Sequence, residues 1–188
     1  MRFKELNEVS PSTFEGSLTP DLLQSKIWLC NNLKTLGRKK FSTIYILGSW
    51  YGAMSVVLDR CGMEFEKVIN VDSDKEHIAI SNKLLSALDI NHQCMHKDVN
   101  TLNYKQLDKN GLVINTSIND IEGEVWFDKI PKGTLVVLQS RNNVKSPKWN
   151  SLQELDREFF LTDTLFLDKV TLKDPETQYQ RFMKIGIK

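Results

Sequence analysis

A chain of 188 residues with 40% hydrophobic and 26% charged side chains has the composition of a globular domain and is long enough to bury one sizeable core. Its formal net charge of +1 provides no general attraction to a nucleic acid or a membrane surface, and no apolar stretch reaches the roughly 18 residues that span a bilayer. Cys30, Cys61 and Cys94 are odd in number and form no CxxC, which argues against a zinc site or a disulfide framework and for a reducing, cytoplasmic compartment; no signal-peptide pattern opens the chain.

The start of the chain, to about Gly16, is polar, contains Pro11 and is expected to be irregular. "LTPDLLQSKIWLCNNLKTLG" then reads as a helix, with Thr19 as N-cap, Pro20 in the first turn, and Leu23, Ile27, Cys30 and Leu33 at helical spacing before Gly37. The basic run Arg38-Lys39-Lys40 reads as a solvated link. From Thr43 strands and helices alternate: "STIYILG", the helix "YGAMSVVLDRCG", "EKVINVD", and the helix "SDKEHIAISNKLLSAL" opened by a Ser73-x-x-Glu76 capping box. "HQCMHKDV" follows, then the turn Asn110-Gly111, the strand "GLVINTS", a short helix "NDIEGEVWFDKI" and the strand "GTLVVLQS". A polar run, Asn142 to Asn150, precedes the helix "LQELDREFFL" with a second box, Ser151-x-x-Glu154. "DTLFLDKVTL" and "QYQRFMKIGIK", joined by "KDPETQ", should pair as an antiparallel hairpin.

This order predicts an α/β, Rossmann-like three-layer sandwich: a mostly parallel sheet, helices on both faces, and a C-terminal antiparallel hairpin. Residues 1–40 form an N-terminal segment whose helix could close over a site as a lid, and residues 41–188 form the α/β domain, within one globular unit.

In such a sheet ligands bind beyond the carboxyl ends of the strands. Those ends carry Gly48-Ser49-Trp50-Tyr51-Gly52, Asp72, Asp98-Val99 and Asn115-Thr116-Ser117. Gly48 lets the backbone turn and approach a ligand, and Gly52 lets the next helix pack close to the strand. The helix N-terminus suits a carboxylate or phosphate. Asp72 lies 24 residues beyond Gly48, near the offset at which a carboxylate accepts from ribose hydroxyls. Asp98 ends the next strand, in reach of an adenine amino group. Polar groups on four successive strand ends point to an adenosine-type ligand.

On these residues the chain resembles the class I S-adenosylmethionine-dependent methyltransferase superfamily, over about Phe41 to Lys188. "ILGSWYG" is similar to its first, glycine-rich motif, "INVDSDKEHIAIS" to its second and "HKDVN" to its third. "LVINTSIND" sits where its fourth begins. More narrowly, "INTS…WFDKIPKGTLVVLQS" resembles small methyltransferase-like proteins of phages and bacteria. The resemblance implies a seven-stranded sheet with an antiparallel last strand inserted between strands five and six. It implies S-adenosyl-L-methionine as cofactor, held by Gly48, Ser49, Trp50, Tyr51, Gly52, Asp72, Ser73, Asp98, Val99, Asn115 and Thr116. The first motif departs from the pattern: Trp50 and Tyr51 stand where its central glycine would be.

A sulfonium methyl is already activated, so a general base is needed only for a protonated acceptor. Asn115 and Asp120 are the catalytic candidates, with Ser117 and Asn119 nearby. His77 is expected to face outward; His92 and His96 flank the third strand, His96 being the better site candidate. Trp126 and Phe127 read as core. Lys26 and Trp28 lie on the lid helix, and the Asn142 to Asn150 run is the expected acceptor-side wall. No metal-ligand set is apparent. The acceptor stays open between a small molecule and a macromolecular side chain. Aminopropyl or aminocarboxypropyl transfer from the same cofactor, and a non-catalytic binding module on the same sheet, are the alternatives; a nicotinamide dehydrogenase is disfavoured by the terminal hairpin and the first motif.

Overall fold

The computed structural model describes residues 16–142 and 148–188. The expected irregular start and the middle of the Asn142 to Asn150 wall lie outside those residues. A 3-10 turn (Gly16–Leu18) leads into α1 (Pro20–Thr35). Then come β1 (Lys40–Leu47), α2 (Ala53–Arg60), β2 (Glu64–Asp72), α3 (Lys75–Ala87) and β3 (His92–His96). After a 3-10 turn (Val99–Thr101) follow β4 (Leu112–Asn115), α4 (Val125–Asp128), β5 (Leu135–Arg141), α5 (Leu152–Glu158), β6 (Asp163–Lys173) and β7 (Gln178–Ile187).

The seven strands of the described residues form one sheet in the order β3-β2-β1-β4-β5-β7-β6. The pairs among β1 to β5 are parallel, and β7 runs antiparallel to both β5 and β6, inserted between them as expected. Side chains two apart on a strand share a face, so each strand feeds two cores. Ile44, Ile46, Val68, Leu112, Ile114 and Val137 pack on one face against Leu29, Cys30 and Leu33 of α1 and Met54, Val57 and Leu58 of α2. Tyr45, Leu47, Ile69, Val71, Val113 and Val136 pack on the other against Trp126 and Phe127 of α4 and Leu155 of α5. The result is three layers. Trp126 and Phe127 are core, as expected, and their rings meet Phe159 with centroids 5.0–5.7 Å apart.

The helix ends follow local chemistry, with corrections. Gly37 (φ 71°) closes α1: its N–H donates to the Lys34 carbonyl and that of Arg38 to Leu33, the six-to-one pattern of a glycine stop. Gly62 closes α2 in the same way. Ser151 caps α5 through the Glu154 N–H, while the Glu154 carboxylate turns to the Asn150 N–H. The cap of α3 is Asp74, not Ser73: its carboxylate accepts from the N–H groups of Glu76 and His77, with both distances within 3.2 Å. α1 buries Leu29 in place of the expected Ile27, which is 38% exposed, and its buried stripe continues through the polar Asp21 and Ser25. β3 stops at His96, because β2 ends opposite it at Asp72. β4 stops at Asn115, whose carboxamide oxygen accepts from the Ser117 N–H at 3.0 Å and turns the chain. Gly123 (φ 69°) breaks the expected helix, leaving the single turn α4.

Gly52 permits a close approach to a helix rather than to a strand. It stands in the left-handed region at φ 79°, and a Cβ there would lie 2.5 Å from the Ser81 Oγ of α3. Gly52→Ala is expected to cost about 1–3 kcal/mol in urea denaturation, combining steric clash with backbone strain. In a Ser81→Ala background the loss should shrink toward the backbone contribution, about 1–2 kcal/mol.

Candidate functional site

A cleft of about 860 Å³ runs along the carboxyl ends of the parallel strands. It is lined in sheet order by Asp98 and Val99 after β3, Asp72 and Ser73 at the end of β2, Gly48, Ser49 and Trp50 after β1, Thr116 and Ser117 after β4, Arg141 at the end of β5, and Tyr179 and Arg181 on β7. Asp21, Leu22 and Lys26 of α1 form the wall over the β5–β7 end.

The glycine loop is built around the Asp72 carboxylate. The Trp50 N–H donates to its Oδ2 at 2.8 Å, and the Asp74 N–H donates to its Oδ1 at 3.0 Å. His77 Nδ1 lies 3.3 Å from the same Oδ1. The Ser49 N–H donates to the Val71 carbonyl at 3.0 Å, tying the loop to β2 a second time. Trp50 consequently sits at φ 50°, a region a bulky residue rarely enters. Its ring is 37% exposed and lines the cleft, while Tyr51 is buried beneath it, ring centroids 5.0 Å apart, with its ring edge-to-face with His77 at 4.8 Å. Gly48 brings this loop against the β4 loop: a Cβ there would be 3.1 Å from the Ser117 Cβ.

Nine of the twelve residues assigned to the site from sequence line the cleft: Gly48, Ser49, Trp50, Asp72, Ser73, Asp98, Val99, Thr116 and Asp120. Tyr51, Gly52 and Asn115 do not; they shape the loops from behind. His77, expected outside, turns into the cleft toward Asp72. His96 instead meets the Ser73 carbonyl through Nε2 at 3.0 Å, and His92 the Ile90 carbonyl through Nδ1 at 2.7 Å. Lys26 lines the cleft, whereas Trp28 packs against Phe166 of β6. At the described edge of the expected acceptor-side wall, Lys148 donates to the Ile121 carbonyl at 2.6 Å.

Sequence reasoning missed the polar cluster at the β5–β7 end. Arg181 is 5% exposed and donates through Nη2 to the Thr116 carbonyl at 2.5 Å and to Gln139 Oε1 at 3.4 Å. Gln139 also accepts from Ser25 Oγ at 3.1 Å and donates through Nε2 to the Ser25 carbonyl at 3.4 Å, and Tyr179 donates to Asp21 Oδ2 at 2.6 Å; these bonds hold the first half of α1 on the sheet. Arg141 and Asp120 pair at 3.4 Å. Burial, then the Arg181 charge, push the Lys26 ammonium down to about 8, with Asp21 opposing. Burial pushes Arg181 down to about 10, still a cation at neutral pH. Burial also raises the Asp21 carboxyl, but hydrogen bonds from Tyr179, Thr19 and the Leu22 backbone outweigh it and leave the group below its ordinary range. The available signal was Arg181 itself, a charge within a strand expected to be flanked on both sides.

A smaller cavity of about 590 Å³ lies between α4 and α5, where the Glu124 carboxyl is raised to about 7 by its hydrogen bond with Glu158 and by burial. It carries no strand end and no glycine loop. Among the described residues no cluster of metal-ligating side chains occurs, and no helix is long and apolar enough to cross a membrane.

No protein-family model matches the chain, and no curated protein matches it in sequence. Solved structures do match in shape. The N-methyltransferase NodS of Bradyrhizobium japonicum WM9 superposes with a TM-score of 0.65 at 10% identity, over 88% of this chain and 96% of that one. An S-adenosylmethionine-dependent methyltransferase of Aquifex aeolicus gives 0.59 at 11% identity, over 98% of each chain. Magnesium protoporphyrin IX methyltransferase of Synechocystis PCC 6803, with S-adenosylmethionine bound, gives 0.61 at 11% identity, over 87% of this chain and 79% of that one. The fold is that of the class I methyltransferases. In this methyltransferase fold the cleft described above lies along the strand ends that end in Asp98, Asp72 and Gly48.

Tyr179→Phe tests how α1 is held over the cleft. Because Asp21 sits below its ordinary range, its contribution is present above its unfolded-state value and is lost as pH falls. The variant is expected to lose about 1–3 kcal/mol in urea denaturation at pH 7, and the gap from wild type should narrow below about pH 4 as Asp21 takes up a proton.

Proposed function

We propose that the protein is an S-adenosylmethionine-dependent methyltransferase. The observation that carries this reading is the order of groups along the sheet edge: the Asp98 carboxylate, then Asp72, then the glycine loop, then the β4 loop, in one continuous cleft. That order fits an adenine, its ribose and a sulfonium side chain laid across successive strands roughly 4.8 Å apart. The chain's own residues fit the group. Ser49 Oγ is buried on the cleft wall with no hydrogen-bond partner among the described residues, a polar atom that a ligand would satisfy. Asp98 accepts from the Asn100 N–H through Oδ1, leaving Oδ2 for an amino group.

Bound S-adenosylmethionine supplies a methyl group already activated by its sulfonium, so the protein's contribution is positioning and exclusion of water. Asp72 would receive the ribose hydroxyls. Its Oδ2 carries one hydrogen bond and its Oδ1 two contacts, so a diol would displace His77 from Oδ1 while the Trp50 and Asp74 amides stay in place. Trp50 walls the loop side. Thr116 and Ser117, after β4, face the acceptor end. Asp120, held by Arg141, is the carboxylate there that can take a proton from a protonated acceptor.

Isothermal calorimetry should show binding of S-adenosylmethionine and S-adenosylhomocysteine but not of NAD, and absence of binding by either sulfur nucleotide would refute the reading. Asp72→Ala, checked by circular dichroism to be folded, should weaken both by about 1–3 kcal/mol. Tryptophan fluorescence should change on binding in the wild type and lose most of that change in Trp50→Phe. Mass spectrometry of spent cofactor should find S-adenosylhomocysteine; methylthioadenosine would indicate transfer of the other arm.

A further inference from the structure

We propose that the acceptor is a small molecule bearing an oxyanion group, a carboxylate or a phosphate, and that Arg181 and Lys26 receive that group at the β5–β7 end of the cleft. The proposal rests on the methyltransferase reading and names its acceptor class.

Two cationic side chains at this end of the cleft lack matched acceptors among the described residues. Arg181 is buried, yet among the described residues no carboxylate lies within 4.0 Å of it and its Nε–H has no hydrogen-bond partner. Its Nη2 is spent on neutral oxygens, the Thr116 carbonyl and Gln139. Lys26 lines the same end and likewise makes no hydrogen bond or ion pair among the described residues, while it and Arg181 repel one another. The carboxylates lining this end hold other partners: Asp21 accepts from Tyr179, Asp120 pairs with Arg141, and Asp174 accepts from the Glu176 and Thr177 N–H groups, so Asp21 and Asp120 act on Arg181 only at longer range. A buried guanidinium with an unpaired Nε–H beside a half-buried ammonium costs free energy that a planar or tetrahedral oxyanion would recover through charge-assisted hydrogen bonds.

The same strand carries a purely structural cation for contrast. Lys184, three residues along β7 and 1% exposed, donates to the carbonyls of Phe159 at 2.7 Å and Asp156 at 3.1 Å, with the Asp156 carboxylate at 2.6 Å. Every requirement of that charge is met within the fold. Arg181 differs in facing the cleft and in keeping a donor unused. Position also fits: its guanidinium reaches back to the carbonyl after β4, next to where the reaction would occur, so an acceptor anchored there would present a neighbouring atom to the donor. Arg181 is 5% exposed within the cleft, so a ligand meets it only by entering the cleft, which suits a small molecule. The cleft volume, about 860 Å³, is near the upper end of the roughly 300–1,000 Å³ of small-molecule sites, which suits two ligands side by side.

The test uses the full chain, isotope-labelled with ¹⁵N and saturated with S-adenosylhomocysteine, with the Arg181 Nε–H resonance assigned through Arg181→Lys. Sodium phosphate and sodium succinate are the probes, and sodium chloride at equal ionic strength is the control. Either oxyanion is expected to shift the Arg181 resonance saturably while chloride does not, and Lys26→Met, a partly exposed position that should not compromise folding, should weaken that titration about fivefold. No saturable shift would overturn the proposal. A shift seen only in the free protein and reversed by S-adenosylhomocysteine would also overturn it, assigning the two cations to the cofactor's own carboxylate. If S-adenosylhomocysteine fails to bind while phosphate still titrates, the cofactor reading falls and the oxyanion site stands.

Discussion

The hydrogen bond from the Trp50 amide to the Asp72 carboxylate is the constraint on which the cleft depends. A left-handed backbone costs a non-glycine residue about 1–2 kcal/mol, and a hydrogen bond to a charged group contributes about 1.5–3 kcal/mol, so one such bond suffices to hold Trp50 at φ 50°. The absent central glycine of the loop is thereby explained. The turn keeps the geometry that a glycine would adopt freely, and the carboxylate at the end of β2 offsets its strain. Asp72 is 8% exposed, and such a buried carboxylate is tolerable only because backbone and imidazole groups are aimed at it. The carboxylate that ends β2 in the cleft wall is therefore also the group that shapes the loop.

The parallel sheet turns this local device into an extended site. Its strands deliver one loop every strand spacing along a common edge, so polar groups far apart in sequence stand in line. The antiparallel β7 extends the line. Since it runs opposite to β5, its first residues, Tyr179 and Arg181, lie at the same edge as the last residues of β5, with Arg181 opposite Arg141. Only carboxylates, Asp72 and Asp98, carry charge on the β3–β2 strand ends, while the β5–β7 end mixes Lys26, Arg141 and Arg181 with Asp21, Asp120 and Asp174.

Local patterns in the sequence made the α/β alternation, the hairpin, the strand-end carboxylates and the two glycine stops legible, because each is decided by neighbours within a few residues. The corrections arise where a distant group wins. His77 stands in the first turn of α3, on a face that periodicity leaves to solvent, and Asp72 draws it inward. Ser73 loses the cap of α3 to Asp74, since the chain leaving β2 is already fixed by the Asp72 side chain accepting from the Asp74 amide. Gly52 packs against Ser81, a helix residue 29 positions away, where the local pattern points to a strand. Asn115 has the look of a ligand group at a strand end and is spent on its own turn, which leaves Thr116 and Ser117 to line the cleft. The cationic end required the strand order, which no local pattern contains.

Helix α1 shows why that last part resisted a reading by hydrophobic spacing alone. Its second half is attached by Leu29, Cys30 and Leu33 in the apolar core, as helical periodicity requires. Its first half is attached by polar groups: Asp21 to Tyr179 and Ser25 to Gln139. Both of those partners lie next to Arg181, in contact with it or two residues along the strand. A core-seeking pattern skips Asp21 and Ser25 and selects Ile27, which the structure leaves exposed. The helix is thus half core element and half cleft wall. The polar half is the half that carries Lys26, because a helix face that walls a polar cleft buries hydrogen-bonding groups where a core-facing wall would bury methyls.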